Sequence, residues 1–149
     1  MGRGTVGVYG IDLEAGDRVI AAAIVDLSCT LLVAGENGIG KRTAFDEYRI
    51  QTRGGKGIIT MKTGDKTGGV VGALTVRETD EIMMITAVGQ MVRTPVAPIS
   101  NMGRNTMGVK LVNLDTNDKL QAIAPVVGEA TQDAAIGEVP PPAPDAPAP

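Results

Sequence analysis

Short apolar runs alternate with polar turns over most of the chain. From residue 51 onward, runs rich in Val, Ile, Met and Thr are separated by the polar clusters at residues 64–68 and 77–80. Runs of this length bounded by turn residues are typical of β-strands joined as hairpins. The pattern predicts strands at residues 57–62, 70–76, 81–87 and 90–96.

The same order of runs and turns precedes this unit. The turn at residues 14–17 matches the turn at 64–68, and strands are predicted at residues 6–11, 18–25, 29–34 and 39–43. Four strands in about fifty residues are the content of one blade of a β-propeller. The chain is therefore predicted to be all-β, with propeller-like blades of about four antiparallel strands each and about two and a half blades in total.

A short motif marks the repeat. Arg-x-x-x-Gly followed by Val or Ile begins at Arg3, Arg53 and Arg104, and a second landmark, Arg-Thr, occurs at Arg42 and Arg93. Steps of about fifty residues indicate a propeller, a solenoid or an array. Because a closed propeller needs at least about four blades, we expect the sequence to be the C-terminal part of a longer protein.

The composition disfavours most enzyme classes. The chain has no His and a single Cys, Cys29, so it cannot form a His-based triad, a His-containing metal site or an intrachain disulfide. We expect no catalytic residue, metal or cofactor here, and Cys29 is predicted to be a small buried hydrophobe. No stretch resembles a signal peptide or approaches the ~18 apolar residues of a membrane span, so we expect a soluble, cytoplasmic protein without a membrane partner.

Charge divides the chain near residue 127. All 14 Lys and Arg residues precede that point, whereas the charged side chains of residues 128–149 are all acidic. The same segment is rich in Pro and Ala, a composition typical of disorder. We predict partial blades over residues 1–127 and a disordered acidic tail over residues 128–149. A tethered acidic tail is expected to compete with phosphate for nearby basic side chains.

Two glycine-rich stretches imitate nucleotide-binding motifs. Residues 35–41 match G-x-x-x-x-G-K, but Arg42 stands where a P-loop needs Ser or Thr to hold Mg²⁺. Residues 2–7 match G-x-G-x-x-G without the preceding strand that a dinucleotide site requires. Both stretches are predicted to be turns of the repeat.

Basic residues recur at equivalent positions of successive repeats. Duplex DNA offers a regular line of phosphates, and contacts to it need no base recognition, so an evenly spaced basic rim suits it. Only Tyr9, Phe45 and Tyr48 could stack on bases, which disfavours single strands as ligands. For each arginine the alternative is a structural contact between blades. The candidate DNA contacts are Arg3, Arg42, Arg49, Arg53, Lys56, Arg93, Arg104 and Lys110.

Several of these stretches resemble the C-terminal domain of the gyrase A subunit of bacterial type IIA topoisomerases. Residues 51–57, Gln-Thr-Arg-Gly-Gly-Lys-Gly, resemble the basic box of that family, with Thr52 in place of an arginine. The resemblance runs from residue 1 to about residue 127. It is carried by residues 36–43, 47–49, 54–58, 81–86, 92–95 and 102–111.

The resemblance implies a β-pinwheel, a propeller variant whose blades share strands and which binds and wraps duplex DNA around its basic perimeter during supercoiling. It also implies that the catalytic tyrosine lies in an upstream domain and that ATP and Mg²⁺ act elsewhere in the holoenzyme. The implied partners, in an A2B2 assembly, are the rest of the gyrase A subunit together with the gyrase B subunit. Two alternatives stay open at this point. They are the corresponding domain of topoisomerase IV and a non-catalytic β-propeller that scaffolds protein partners.

Overall fold

The computed structural model describes residues 1–127. Within them there is no α-helix, and every pair of neighbouring strands in the two sheets is antiparallel. The all-β prediction is confirmed. In chain order the elements are β1 (Thr30–Gly35), β2 (Ile39–Ala44), a 3₁₀ helix (Phe45–Glu47), β3 (Val70–Val76), β4 (Glu81–Thr86), β5 (Met91–Pro95), β6 (Val109–Lys110) and β7 (Leu120–Pro125).

Each sheet combines a hairpin with a strand from the following repeat. The first sheet has the order β3-β1-β2-β6 and the second has the order β5-β4-β7. β3 pairs with the β1–β2 hairpin in the same way that β7 pairs with the β4–β5 hairpin. Each pairing has a bulge at the same point of the repeat, at Ala34/Gly35 in the first sheet and at Ile85/Thr86 in the second. Neighbouring blades therefore share strands.

One apolar core joins the two sheets. Leu32 and Val76 of the first sheet and Ile82, Met84 and Leu120 of the second belong to a single buried cluster. Their alternation along each strand puts one face of each sheet into this core, as the period-two pattern requires. The shared core fixes the orientation of the two hairpins relative to each other.

Three predicted strands are wrong. Residues 6–11, 18–25 and 57–62 contain no strand, and large apolar side chains such as Val6 and Ile24 are exposed. Residues 18–25 occupy the repeat position of β3 and β7, which pair with the hairpin of the preceding repeat. Residues 1–127 contain no hairpin that precedes residues 18–25. This apolar run therefore has the composition of a strand but lacks a strand to pair with.

The glycine of the repeated motif has a conformational role. Gly7, Gly57 and Gly108 have φ angles of 92°, 80° and 95°, a region that L side chains rarely adopt. At Gly108 a Cβ would also overlap the Gly40 backbone, lying 2.7 Å from its carbonyl carbon. The repeat is therefore recognisable in the sequence because its backbone requires glycine.

Two smaller predictions hold. The P-loop look-alike is the turn of the β1–β2 hairpin, closed by a hydrogen bond from Gly38 N to Gly35 O of 3.0 Å, and Cys29 is buried. The predicted disordered tail, residues 128–149, lies outside the described residues. Among the residues that are described, no helix is long and apolar enough to cross a membrane.

Candidate nucleic-acid interface

Three equivalent stretches, which we call the arginine segments, begin at the motif arginines and cover residues 3–12, 53–62 and 104–113. Asp12 N, at the end of the first, donates to Gly55 O in the second over 2.9 Å. Lys62 N, at the end of the second, donates to Thr106 O in the third, also over 2.9 Å. The two hydrogen bonds are one repeat apart and join equivalent positions. The three segments therefore lie side by side in one register.

Basic side chains of these segments reach the surface. Arg3, Arg53, Lys56 and Lys110 are exposed. Arg104 is half-buried, and its Nη1 donates to Ile59 O over 2.9 Å, which places its guanidinium between the second and third segments. An arginine has five N–H donors, so this bond leaves most of the guanidinium available to a further acceptor. The three arginine segments thus carry five of the candidate DNA contacts.

Arg42 occupies a different environment. It is buried, with 6 % of its surface exposed. Its Nε donates to Ile99 O over 2.8 Å and its Nη2 donates to Ala97 O over 3.2 Å, while Glu78 lies 3.6 Å from Nη2. These carbonyls belong to the chain that follows the second hairpin. Arg42 therefore fits the structural alternative considered for each arginine, a contact that holds one repeat to the next.

Arg93 holds the same repeat position as Arg42 but is exposed. Its side chain is 58 % accessible, and it pairs with Glu81 on the adjacent strand β4 through Nε and Nη2. The outer edge of β5 has no strand partner within residues 1–127. An exposed ion pair of this kind is weak and easily exchanged, so Arg93 remains a candidate contact for an anionic ligand.

Arg49 is exposed just beyond the 3₁₀ helix. The adjacent Tyr48 is half-buried, and its hydroxyl shares a hydrogen bond with the Thr60 hydroxyl of the second arginine segment. Phe45 packs near Tyr48, with 6.3 Å between ring centroids. The hydrogen bond of Tyr48 therefore holds Arg49 near the second segment. Because Phe45 is buried and Tyr48 is half-buried, the two aromatic side chains do not form a stacking surface for bases.

A further residue, Lys41, supports the third arginine segment from its buried side although sequence reasoning did not select it. Lys41 is fully buried, and its Nζ donates to Gly103 O, Arg104 O and Thr106 Oγ1 over 2.5, 2.6 and 3.0 Å. Burial lowers the pKa of this ammonium group. Burial of Lys41 could have been predicted from its place in β2. Alternate residues of a strand share a face, and Ile39 and Thr43, which share the face of Lys41, are apolar or small.

The exposed basic side chains of the arginine segments are suited to binding an anion. Exposed guanidinium and ammonium groups form charge-assisted hydrogen bonds with phosphate oxygens and need no further activation. Across residues 1–127, no group of three or more His, Cys, Asp or Glu side chains is placed to hold a metal ion. The ligand that best matches these side chains is therefore a repeated anion.

Comparison with known proteins identifies the family of the chain. The family model of the DNA gyrase C-terminal domain, a beta-propeller, matches residues 1–26, 30–77 and 80–126. The A subunit of DNA gyrase from Salmonella typhimurium is 42 % identical over 142 residues, which are 93 % of this chain and 16 % of that protein. The corresponding protein of Mycolicibacterium smegmatis is 44 % identical over 124 residues, which are 83 % of this chain and 15 % of that protein. The chain thus spans about a sixth of these relatives.

Solved structures agree in fold. A DNA gyrase A C-terminal domain superimposes with a TM-score of 0.76 at 33 % identity, covering 85 % of this chain and 43 % of the other. The C-terminal domain of DNA topoisomerase IV superimposes with a TM-score of 0.72 at 21 % identity, covering 80 % and 38 %, a likeness of fold alone. Because the family model matches most of the length of the chain, the chain belongs to the DNA gyrase C-terminal domain family.

Proposed function

We propose that this chain binds the backbone of duplex DNA along the arginine segments and wraps it as the C-terminal part of a DNA gyrase A subunit. The observation that carries the proposal is the repeated hydrogen bond between equivalent segments, from Asp12 to Gly55 and from Lys62 to Thr106. It sets exposed basic side chains at matched positions of adjacent stretches. A duplex presents its phosphates at similarly regular intervals.

The candidate contacts divide by accessibility. Arg42 is buried and engaged with carbonyl groups, so the proposal assigns it to the scaffold. The remaining candidates carry at least part of their charged group at the surface. They are Arg3, Arg49, Arg53, Lys56, Arg93, Arg104 and Lys110.

The proposal assigns the chemistry to other parts of the assembly. DNA breakage and rejoining, ATP and Mg²⁺ belong to the gyrase B subunit or to the upstream domain of the A subunit, in an A2B2 enzyme of the bacterial cytoplasm. Residues 1–127 supply the curved basic surface. Because bending a duplex costs free energy that only several simultaneous contacts offset, this chain by itself is expected to bind weakly and to wrap DNA poorly.

A salt titration of duplex binding tests the proposal. With about four phosphates neutralised, the logarithm of affinity should fall against the logarithm of salt concentration with a slope of about −3.6, or about a hundredfold between 50 and 200 mM salt. Duplexes of unrelated sequence should bind with similar affinity because the contacts are to the backbone. Absence of salt-dependent binding would leave the protein scaffold as the better explanation of the repeated arginines.

A further inference from the structure

Lys41, the lysine of the P-loop look-alike, is a buried cation that strand formation at this position of the repeat does not require. Its side chain has 0 % exposure, and within residues 1–127 it has no carboxylate in ion-pair contact. Burying a charge is costly unless every donor is satisfied. The equivalent position of the second hairpin holds Val92, so a strand at this place in the repeat forms without a lysine.

The three donors of Lys41 converge on one turn of the third arginine segment and the glycine before it. Nζ donates to the carbonyl oxygens of Gly103 and Arg104 and to the hydroxyl of Thr106. Thr106 Oγ1 in turn donates to Gly103 O over 2.7 Å. An ammonium group has three N–H donors, and all of them are used to hold this turn.

The direction of these carbonyl groups also sets the direction of the N–H groups in the same peptides. In a trans peptide the C=O and the following N–H point in opposite directions, and the chain contains no cis peptide bonds in its described part. With the carbonyls of Gly103 and Arg104 directed at Lys41, the N–H groups of Arg104 and Asn105 are directed away from it. Neither N–H donates to an acceptor within residues 1–127. Adjacent N–H groups that point the same way form a concave site for an anion.

We propose that Lys41 is a positioning residue for a phosphate site formed by the backbone N–H groups of Arg104 and Asn105 together with the Arg104 guanidinium. The inference rests on the proposed DNA binding and names one of its contacts. Lys41 does not touch the phosphate. It fixes the carbonyls inward, so the N–H groups are oriented before the ligand arrives.

The test measures duplex affinity of the full chain by fluorescence anisotropy over a salt series. Arg104→Gln and Lys41→Met should each make the log–log salt slope shallower by about 0.9, the value for one phosphate. The double variant should lose no more than either single variant, because both changes remove the same contact. Lys66→Met, which removes an exposed lysine charge, is the matched control. It should change the salt slope less than Lys41→Met does.

Thr106→Val tests the same turn while keeping the Lys41 charge, and it serves if Lys41→Met fails to fold. It should weaken binding in the wild-type background and have no effect in the Arg104→Gln background. The inference would be overturned if Thr106→Val caused equal losses of affinity in both backgrounds. It would also be overturned if Lys41→Met left the salt slope unchanged, or changed it as much as Lys66→Met does. If Arg104→Gln itself leaves the slope unchanged, the proposed DNA contact at the third segment fails as well. A loss in Arg104→Gln alone would remove only the role of Lys41.

Discussion

The first hairpin, β1–β2, has its outer edge covered, whereas the corresponding edge of the second hairpin, β4–β5, has no strand partner within residues 1–127. Residues 97–111 run along β2, with Arg42 N donating to Ser100 O over 3.0 Å and Leu111 N donating to Gly38 O over 2.7 Å. At the covered edge Arg42 is buried. At the open edge its counterpart Arg93 is exposed and pairs with Glu81.

Position in the repeat does not decide the role of an arginine. Arg42 and Arg93 share the Arg-Thr motif and the same strand position. Whether the guanidinium binds backbone carbonyls or remains available to a ligand depends on the chain segment that packs against the strand edge. Lys41 and Val92 differ in the same way, because within residues 1–127 a turn of a later segment packs against the first hairpin, where Lys41 holds it, and none packs against the second at Val92.

The largest effect is expected from glycine replacement at the covered edge. Gly108→Ala combines an unfavourable left-handed residue with overlap against Gly40 and should lower the free energy of unfolding by about 3 kcal/mol or more. Gly7→Ala is the matched control, because Gly7 has a similar φ angle and no neighbouring atom within 4 Å of the added Cβ. It should cost no more than about 1–2 kcal/mol in a denaturant titration. Equal costs would show that the overlap of a Cβ at Gly108 with the Gly40 backbone adds nothing to the cost of the left-handed conformation.

The two arginines should differ next. Arg42→Gln leaves the buried carbonyl of Ile99 and the less buried carbonyl of Ala97 without their donor and should lower the free energy of unfolding by about 1–3 kcal/mol. Arg93→Gln removes an exposed ion pair and should cost less than about 1 kcal/mol. The salt slope of DNA binding should respond in the opposite sense, becoming shallower by about 0.9 for Arg93→Gln and remaining unchanged for Arg42→Gln. A large stability loss with an unchanged slope in Arg93→Gln would make Arg93 a structural residue like Arg42.

The smallest effect concerns pH. Burial lowers the pKa of Lys41 in the folded chain, so between that lowered value and the ordinary lysine pKa of about 10.4 the unfolded chain binds more protons than the folded one. Stability attributable to this group should therefore rise with pH in that window. The free energy of unfolding of the wild type, measured relative to Lys41→Met, should increase as the pH rises through that window. A decrease over the same range would contradict the burial cost assigned to this ammonium group.

Much of the fold could be predicted because its signals are local. Two strands were predictable from alternating apolar residues and from the turn glycines beside them. They are residues 81–86, which form part of a hairpin, and residues 70–76, which pair with the edge of one. Residues 18–25 carry the same signal and form no strand. Their pairing depends on a hairpin elsewhere in space, and a local pattern does not contain that information.

The candidate site was predictable to a smaller degree. The repeat identified Arg3, Arg53 and Arg104 as equivalent, but it could not separate Arg42 from the exposed arginines, since their difference lies in a contact with residues 97–99 more than fifty positions away. Lys41 was missed because an isolated lysine in a strand is usually solvent-exposed. Its three partners come from residues 103–106, which only the tertiary structure brings to it.

The most direct test of the central claim, that adjacent arginine segments form one phosphate-binding surface, is the salt slope of duplex binding for the triple variant Arg3→Gln, Arg53→Gln, Arg104→Gln. If each arginine neutralises one phosphate, the slope should become shallower by about 2.7 relative to the wild type. The stability of the variant should change little, because two of the three side chains are exposed and the third is only half-buried. A triple variant that binds duplex DNA with the wild-type affinity and salt slope would contradict the account.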